Sequence, residues 1–233
     1  CYTILYYTIL YYTICYTKSM KDNLKVSTYS NVNFIDINRT SIRGKIKFGK
    51  NVKIDINSIF EGHNIIGNNV EIKVGCIIKN SKIGNNTVVK PFTSIEDTII
   101  GTNCSIGPYA NLRNKNIIKN NVSIGNYVEV KKSNIGNRTR INHLSFIGDA
   151  NISDDVTIGA GTITCNHDGK HHHVTTIKKG VYVGSGCKLI APIILEENST
   201  IGSGSIITEN APKNQLTISR SSQKTVKNWK RKK

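Results

Sequence analysis

Much of what would mark a disulfide-bonded, exported or nucleic-acid-binding protein is missing from this chain. Its six cysteines, Cys1, Cys15, Cys76, Cys104, Cys165 and Cys187, show no CxxC pair and no paired spacing. No disulfide framework can be read from them, and they are expected as reduced thiols of a cytoplasmic protein, several inside the core. Nothing basic precedes the first apolar stretch, which argues against a signal peptide. That stretch, residues 2–17, repeats the unit Tyr-Thr-Ile-Leu-Tyr and is rich in Thr and Tyr. It falls short of the roughly 20 apolar residues of a spanning helix, so no membrane partner is expected. Met20, the only methionine, follows it directly. Residues 1–19 read as a low-complexity leader without folded structure, translated from sequence upstream of Met20. Acidic residues are scarce, 15 against 32 Lys and Arg, for a net charge of +17. Yet the cations are dispersed, and neither aromatic interleaving nor a recognition helix accompanies them, so nucleic acid is not an expected partner. Only Lys224, Lys227, Lys230, Arg231, Lys232 and Lys233, around Trp229, form a real cluster. Such a charge suits polyanionic small molecules.

What is present is a period of six. Apolar residues recur at Phe48, Ile54, Phe60, Ile66, Ile72 and Ile78, and again at Ile177, Val183, Leu189, Leu195, Ile201 and Ile207. Between these runs the register advances in triplets: Ile83, Val89, Ile95; Ile100, Ile106, Leu112; Ile118, Ile124, Val130; Ile135, Ile141, Ile147; Ile152, Ile158, Thr164. The step is six within a triplet and usually five between triplets. Neither a helix nor an ordinary strand has this period; a parallel β-helix of hexapeptide repeats does. A slip every third step predicts a triangular coil with one shortened corner, each ladder residue stacking inward on its equivalent in the next coil. The residue after a ladder position is repeatedly Gly, as at Gly49, Gly67, Gly84, Gly107, Gly125 and Gly159, and Asn clusters follow at Asn68-Asn69, Asn85-Asn86 and Asn120-Asn121. Both types are expected at tight corners with positive φ.

The ladder is interrupted once, between Thr164 and Ile177, by a segment too long for a corner, Cys165 to Thr176. A loop extruded from a repetitive prism serves a site or a neighbouring subunit. Just before it, Gly159-Ala160-Gly161 is small enough for backbone N–H groups to approach a ligand closely. The loop carries His171-His172-His173; adjacent residues do not converge on one tetrahedral metal, so no metal is expected.

The run beginning at Ile106, IGPYANLRNKNIIKNNVSIGNYVEVKK, together with NHLSFIGDA (142–150), IGAGTITCNHDG (158–169), VGSGCKLIAP (183–192) and ISR (218–220), resembles the acetyltransferase half of a bacterial bifunctional family. That family joins a glucosamine-1-phosphate acetyltransferase to an N-acetylglucosamine-1-phosphate uridyltransferase. The resemblance covers about residue 40 to the end. It implies an all-β fold, a left-handed parallel β-helix with one extruded loop and a short C-terminal tail. It also implies a homotrimer with active sites between subunits. The left hand comes from the resemblance alone, since parallel crossovers are normally right-handed. The expected organisation is a leader at 1–19, a linker at 20–45, the β-helix at 46–210 with its loop at 165–176, and a basic tail at 211–233.

The resemblance implies transfer of acetyl from acetyl-CoA to the 2-amino group of glucosamine 1-phosphate, with no metal required and with UDP-N-acetylglucosamine and cell-wall synthesis downstream. An ammonium cannot attack a thioester, so a base is needed, and the family's base falls on His143. The backbone N–H of Ala160 falls on the oxyanion donor. Arg113 and Lys131 match the sugar-phosphate ligands. For acetyl-CoA the matching positions are Ala160, Asn166, His167, Ser185, Ser203 and Arg220. Phe146 stands where the family commonly has Tyr, Thr157 where it has Asn, His167 where it has Tyr, and His172 where the loop has Lys. Losing the hydroxyl at Phe146 is expected to weaken sugar binding by about 1–2 kcal/mol. Nothing here matches the uridyltransferase half, so this chain is not expected to form UDP-N-acetylglucosamine; either a separate polypeptide supplies that step or the gene is a truncated remnant. The alternatives are an acyltransferase for another, nucleotide-linked amino sugar, and a remnant without catalysis.

Overall fold

The computed structural model describes residues 29–231. The leader, residues 20–28, Cys1, Cys15, Lys232 and Lys233 lie outside the described residues.

Every strand pairing is parallel, and each strand sits one coil from its partner, usually 17 or 18 residues away. Short strands form three faces. On the first face Ile54, Ile72, Val89, Ile106, Ile124, Ile141, Ile158, Val183 and Ile201 stack in register. Phe60, Ile78, Ile95, Leu112, Val130 and Ile147 form the column of the second face. That of the third holds Ile66, Ile83, Ile100, Ile118, Ile135, Ile152, Ile177 and Leu195. All are buried, as the six-residue period requires. Thr164, alone polar in its column, satisfies its hydroxyl on Gly148, accepting from the N–H at 2.8 Å and donating to the carbonyl at 3.0 Å. The fold is a left-handed parallel β-helix.

Two positions before each ladder residue the chain also points inward, and there it carries small side chains such as Cys76, Thr93 and Ala110. Strand alternation explains this second row, and the narrowness of the prism explains its size. Burial pushes the Cys76 thiol up to about 11. Cys76, Cys104, Cys165 and Cys187 are all free thiols.

The corners divide the work differently from the sequence expectation. Positive φ is held by the second Asn of each cluster, Asn69, Asn86 and Asn121. Most glycines that follow ladder residues are not in the left-handed region. They are small because the next coil passes against them: a Cβ on Gly125 would collide with the Asn142 carbonyl oxygen. Close approach, not backbone freedom, is the reason for glycine there.

The shortened corner joins the second face to the third. Its left-handed residue comes two positions after the ladder, as at Asn80, Asp97, Lys132 and Asp149. The corner keeps a full six-residue step from Phe60 to Ile66, from Leu112 to Ile118 and from Leu189 to Leu195, and in the second of these both Asn114 and Lys115 hold positive φ. The corner between the first and second faces has its left-handed residue three positions after the ladder. That column reads Gly75, Phe92, Tyr109, Tyr127, Leu144, Gly161, Gly186, Gly204. Phe92, Tyr109 and Tyr127 stack ring on ring at 5.2 and 5.3 Å.

The boundaries also move. Val32–Phe34 already pairs with Val52–Ile54, and Ser41–Phe48 pairs along its whole length with Ile59–Ile66, so the prism begins inside the expected linker. At the other end Leu216–Thr217 still pairs with Thr200–Ile201, and Ala211 is buried, so the last coil takes in the start of the expected tail. Cys165 and Thr175-Thr176 belong to strands, which leaves 166–174 as the extruded loop. Among the described residues no helix is long and apolar enough to cross a membrane.

Candidate functional site

Residues two positions after the first-face ladder share one edge of the prism. In successive coils they are Asn126, His143, Ala160, Ser185 and Ser203. Strand register therefore puts the expected base and the expected oxyanion donor in adjacent coils, although their sequence contexts differ. The Gly161 N–H donates to the His143 carbonyl at 3.2 Å, joining the two coils directly. His143 is exposed, and its Nδ1 lies 2.7 Å from Oδ1 of Asn126. Farther along, the Gly204 N–H donates to the Ser185 carbonyl at 2.8 Å, and Arg220 donates through Nη1 to the Ser203 carbonyl at 2.7 Å. Beyond Leu144 this edge is bare: a Cβ on Gly204 would meet nothing within 4 Å, and one on Gly161 nothing nearer than 3.8 Å.

A second column runs along the second face, one position after the ladder. It begins with alternating charge. Arg43 pairs with Glu61 at 2.9 Å, Glu61 is in register with Lys79, and Lys79 pairs with Glu96 at 2.5 Å. One coil on comes Arg113, and directly in register with it is Lys131. The alternation breaks there. Like charges in register repel, so two stacked cations are a local cost the sheet does not need for folding. Glu129 takes Arg113, accepting from Nε at 2.7 Å. No salt bridge among the described residues takes Lys131. The next position is Gly148, whose missing Cβ leaves that space to the Phe146 ring and the Asn166 amide, with Nδ2 2.8 Å from where the Cβ would stand. The Phe146 ring leans over it, its Cε1 and Cζ 2.7 Å from where a Gly148 Cβ would stand.

At the neighbouring corner Asp149, with a side chain only 4% exposed, gathers the base of the loop. Asn166 donates through Nδ2 to Asp149 Oδ2 at 2.5 Å, Lys132 Nζ lies 3.2 Å from Oδ1, and His172 Nδ1 lies 3.1 Å from Oδ2. Burial pushes the Asp149 carboxyl up, but the bonds from Asn166 and Lys132 and the nearby His172 outweigh it, so the group lies below its ordinary value. His167 packs its ring against His172 with centroids 4.8 Å apart. Asp168 folds the loop tip, accepting from the N–H groups of Lys170 and His171 and holding His173 at 2.7 Å. The His173 contact and those N–H bonds hold the Asp168 carboxyl well below the usual carboxylate range. The three adjacent histidines thus split: His171 and His173 both approach Asp168 Oδ2, at 3.9 and 2.7 Å, while His172 turns to Asp149. Among the described residues no group of three or more His, Cys, Asp or Glu is placed to hold a metal.

The chain thus brings together His143, Ala160, Ser185, Ser203 and Arg220 on one edge, Arg113, Lys131 and Phe146 on one face, and Asn166, His167 and His172 at the loop base. Thr157 stands apart, on the first face between Arg140 and Tyr182 in register. Sequence reasoning missed Asn126, Glu129 and Asp149. One coil of subtraction from His143 finds Asn126, and one coil of subtraction from Asn166 finds Asp149.

Comparison with known proteins agrees with this architecture. The family described as GMPPB C-terminal domain matches residues 42–134. The bifunctional protein GlmU of Ruthia magnifica is 50% identical over 196 residues, 84% of this chain and 43% of that protein. GlmU of a Psychrobacter strain is 50% identical over 200 residues, 86% of this chain and 44% of that protein. The chain therefore spans less than half the length of these curated relatives. Among solved structures, the UDP-N-acetylglucosamine acyltransferase from Campylobacter jejuni superposes with a TM-score of 0.50 at 21% identity, covering 74% of this chain and 70% of that one; this likeness concerns the fold. By sequence, fold and register, the chain fits the C-terminal domain of the GlmU proteins.

Proposed function

We propose that the chain transfers acetyl from acetyl-CoA to the 2-amino group of glucosamine 1-phosphate. The observation that carries this reading is the order of residues along one edge: His143 and Ala160 in adjacent coils, then a bare run at Gly161, Gly186 and Gly204 flanked by Ser185, Ser203 and Arg220. Such an edge accepts an extended ligand at its glycine half and presents its thioester end to the imidazole. His143 Nε2 takes a proton from the amino nitrogen as that nitrogen attacks the thioester carbonyl. The Ala160 N–H stabilises the oxyanion, the carbon–sulfur bond breaks, and the proton leaves on the CoA thiol. Lys131, left without a carboxylate, and Arg113 take the sugar phosphate. Thr157 lies on a face away from these cations, which suits a homotrimer whose sites draw on two copies. The setting is the cytoplasm, and the product feeds UDP-N-acetylglucosamine synthesis for the cell wall.

The test is thiol release from acetyl-CoA with glucosamine 1-phosphate by the full chain, beside His143→Ala. Release that drops by about 10²–10⁴ in the variant supports the reading. Release with a different amino sugar alone would move the substrate assignment. No release from a folded protein with any amino sugar would favour a remnant.

A further inference from the structure

Asn126 has no role in the reading above, and no core contact needs its side chain. Its amide nevertheless ends against the ring of His143, with Oδ1 2.7 Å from Nδ1. An amide oxygen only accepts, so a neutral ring that makes a hydrogen bond of this contact carries its hydrogen on Nδ1 and its lone pair on Nε2. Free imidazole side chains prefer the reverse arrangement, which would put a hydrogen where the base needs a lone pair.

We propose that Asn126 is a positioning residue that selects the Nδ1–H tautomer of His143 and so makes Nε2 the proton acceptor. This rests on reading His143 as the base. The backbone holds the two residues together from several sides. They are in register on paired strands, Ser123–Asn126 and Arg140–His143. The Leu144 N–H donates to the Asn126 carbonyl at 3.0 Å. Ser123 Oγ donates to Asn142 Oδ1 at 2.9 Å, tying down the residue before His143. Gly125 admits the close approach, since a side chain there would strike the Asn142 carbonyl. Ser145 Oγ and the Gly161 N–H both donate to the His143 carbonyl, at 2.8 and 3.2 Å. With the backbone fixed this firmly, the ring has one side-chain partner among the described residues, and that partner decides where the proton sits.

Imidazole ¹⁵N resonances of the full chain, with His143 assigned by its disappearance in His143→Ala, read the tautomer directly and need no substrate. Above the titration range of the ring, pyrrole-type Nδ1 and pyridine-type Nε2 are expected in the parent protein. In Asn126→Leu, which removes the acceptor, Nε2–H should become the main form, and kcat should fall roughly ten- to hundredfold with KM little changed. Asn126→Asp restores an acceptor, so the tautomer and most of kcat should return. The acid limb of kcat/KM should then move to higher pH, because a carboxylate favours the imidazolium. Nε2–H in the parent, or an unchanged tautomer in Asn126→Leu, overturns the proposal. The expected tautomers in a protein that transfers no acetyl would leave it standing and remove only the substrate assignment.

Discussion

Arg113 and Lys131 face each other in register on adjacent strands, two cations stacked where every earlier step of the same column alternates sign. Glu129 answers only the first of them. Folding gains nothing from this arrangement, which favours the proposed phosphate-binding role over a structural pair.

Lys131→Ala should therefore separate function from stability. The KM for glucosamine 1-phosphate is expected to rise by roughly ten- to hundredfold, the loss of one charge-assisted contact of about 1.5–3 kcal/mol. The KM for acetyl-CoA should hardly move. Thermal unfolding should occur at the same or a slightly higher temperature, because a repulsive neighbour is gone. Steady-state kinetics and a melting curve on one preparation check both signs.

The loop base should depend on pH through Asp149. Its carboxyl lies below the ordinary value in the folded chain. The stabilisation it gives is thus complete above about pH 4 and is lost as pH falls through the lowered folded value. Hydrogen exchange of residues 167–174, corrected for intrinsic rates, should show protection that declines as pH falls below about 4. In Asp149→Asn that protection should be weaker at neutral pH, and the decline should shrink to the part owed to Asp168.

The core should respond as a close-packed column. Ile106 is fully buried between Val89 and Ile124. Ile106→Ala is expected to cost about 2–5 kcal/mol, the methylenes lost plus the cavity left. Denaturant unfolding should show a lower midpoint at nearly unchanged slope.

How far the sequence carried this reading depends on the position considered. Ladder residues such as Ile124 and Ile141 were legible because burial repeats with the coil, and a period of six leaves no second solution. Gly125 was recognised as a corner residue but for the wrong cause, since sequence does not show how near the next coil passes. Asn126 and Asp149 were passed over because polar residues beside a corner look like turn formers. Their partners, His143 and Asn166, sit one coil away, and only a register makes that distance short. Thr157 and Phe146 both match sugar-contacting positions of the family; within one chain the two lie on different faces, and no pattern along the sequence says which face meets a second copy.

The change from Leu144 to Gly161 along one edge has a consequence for length. Successive corners on that edge are one strand spacing apart, about 4.7–4.9 Å. The bare stretch from Gly161 to Gly204 is thus a trough of about 10 Å, set off in whole rungs. A partial insertion bulges outward, as residues 166–174 do, and leaves the rungs aligned. Only gain or loss of a complete coil alters the trough, and then by one full rung. The reach offered to an extended ligand in this fold is counted in integers.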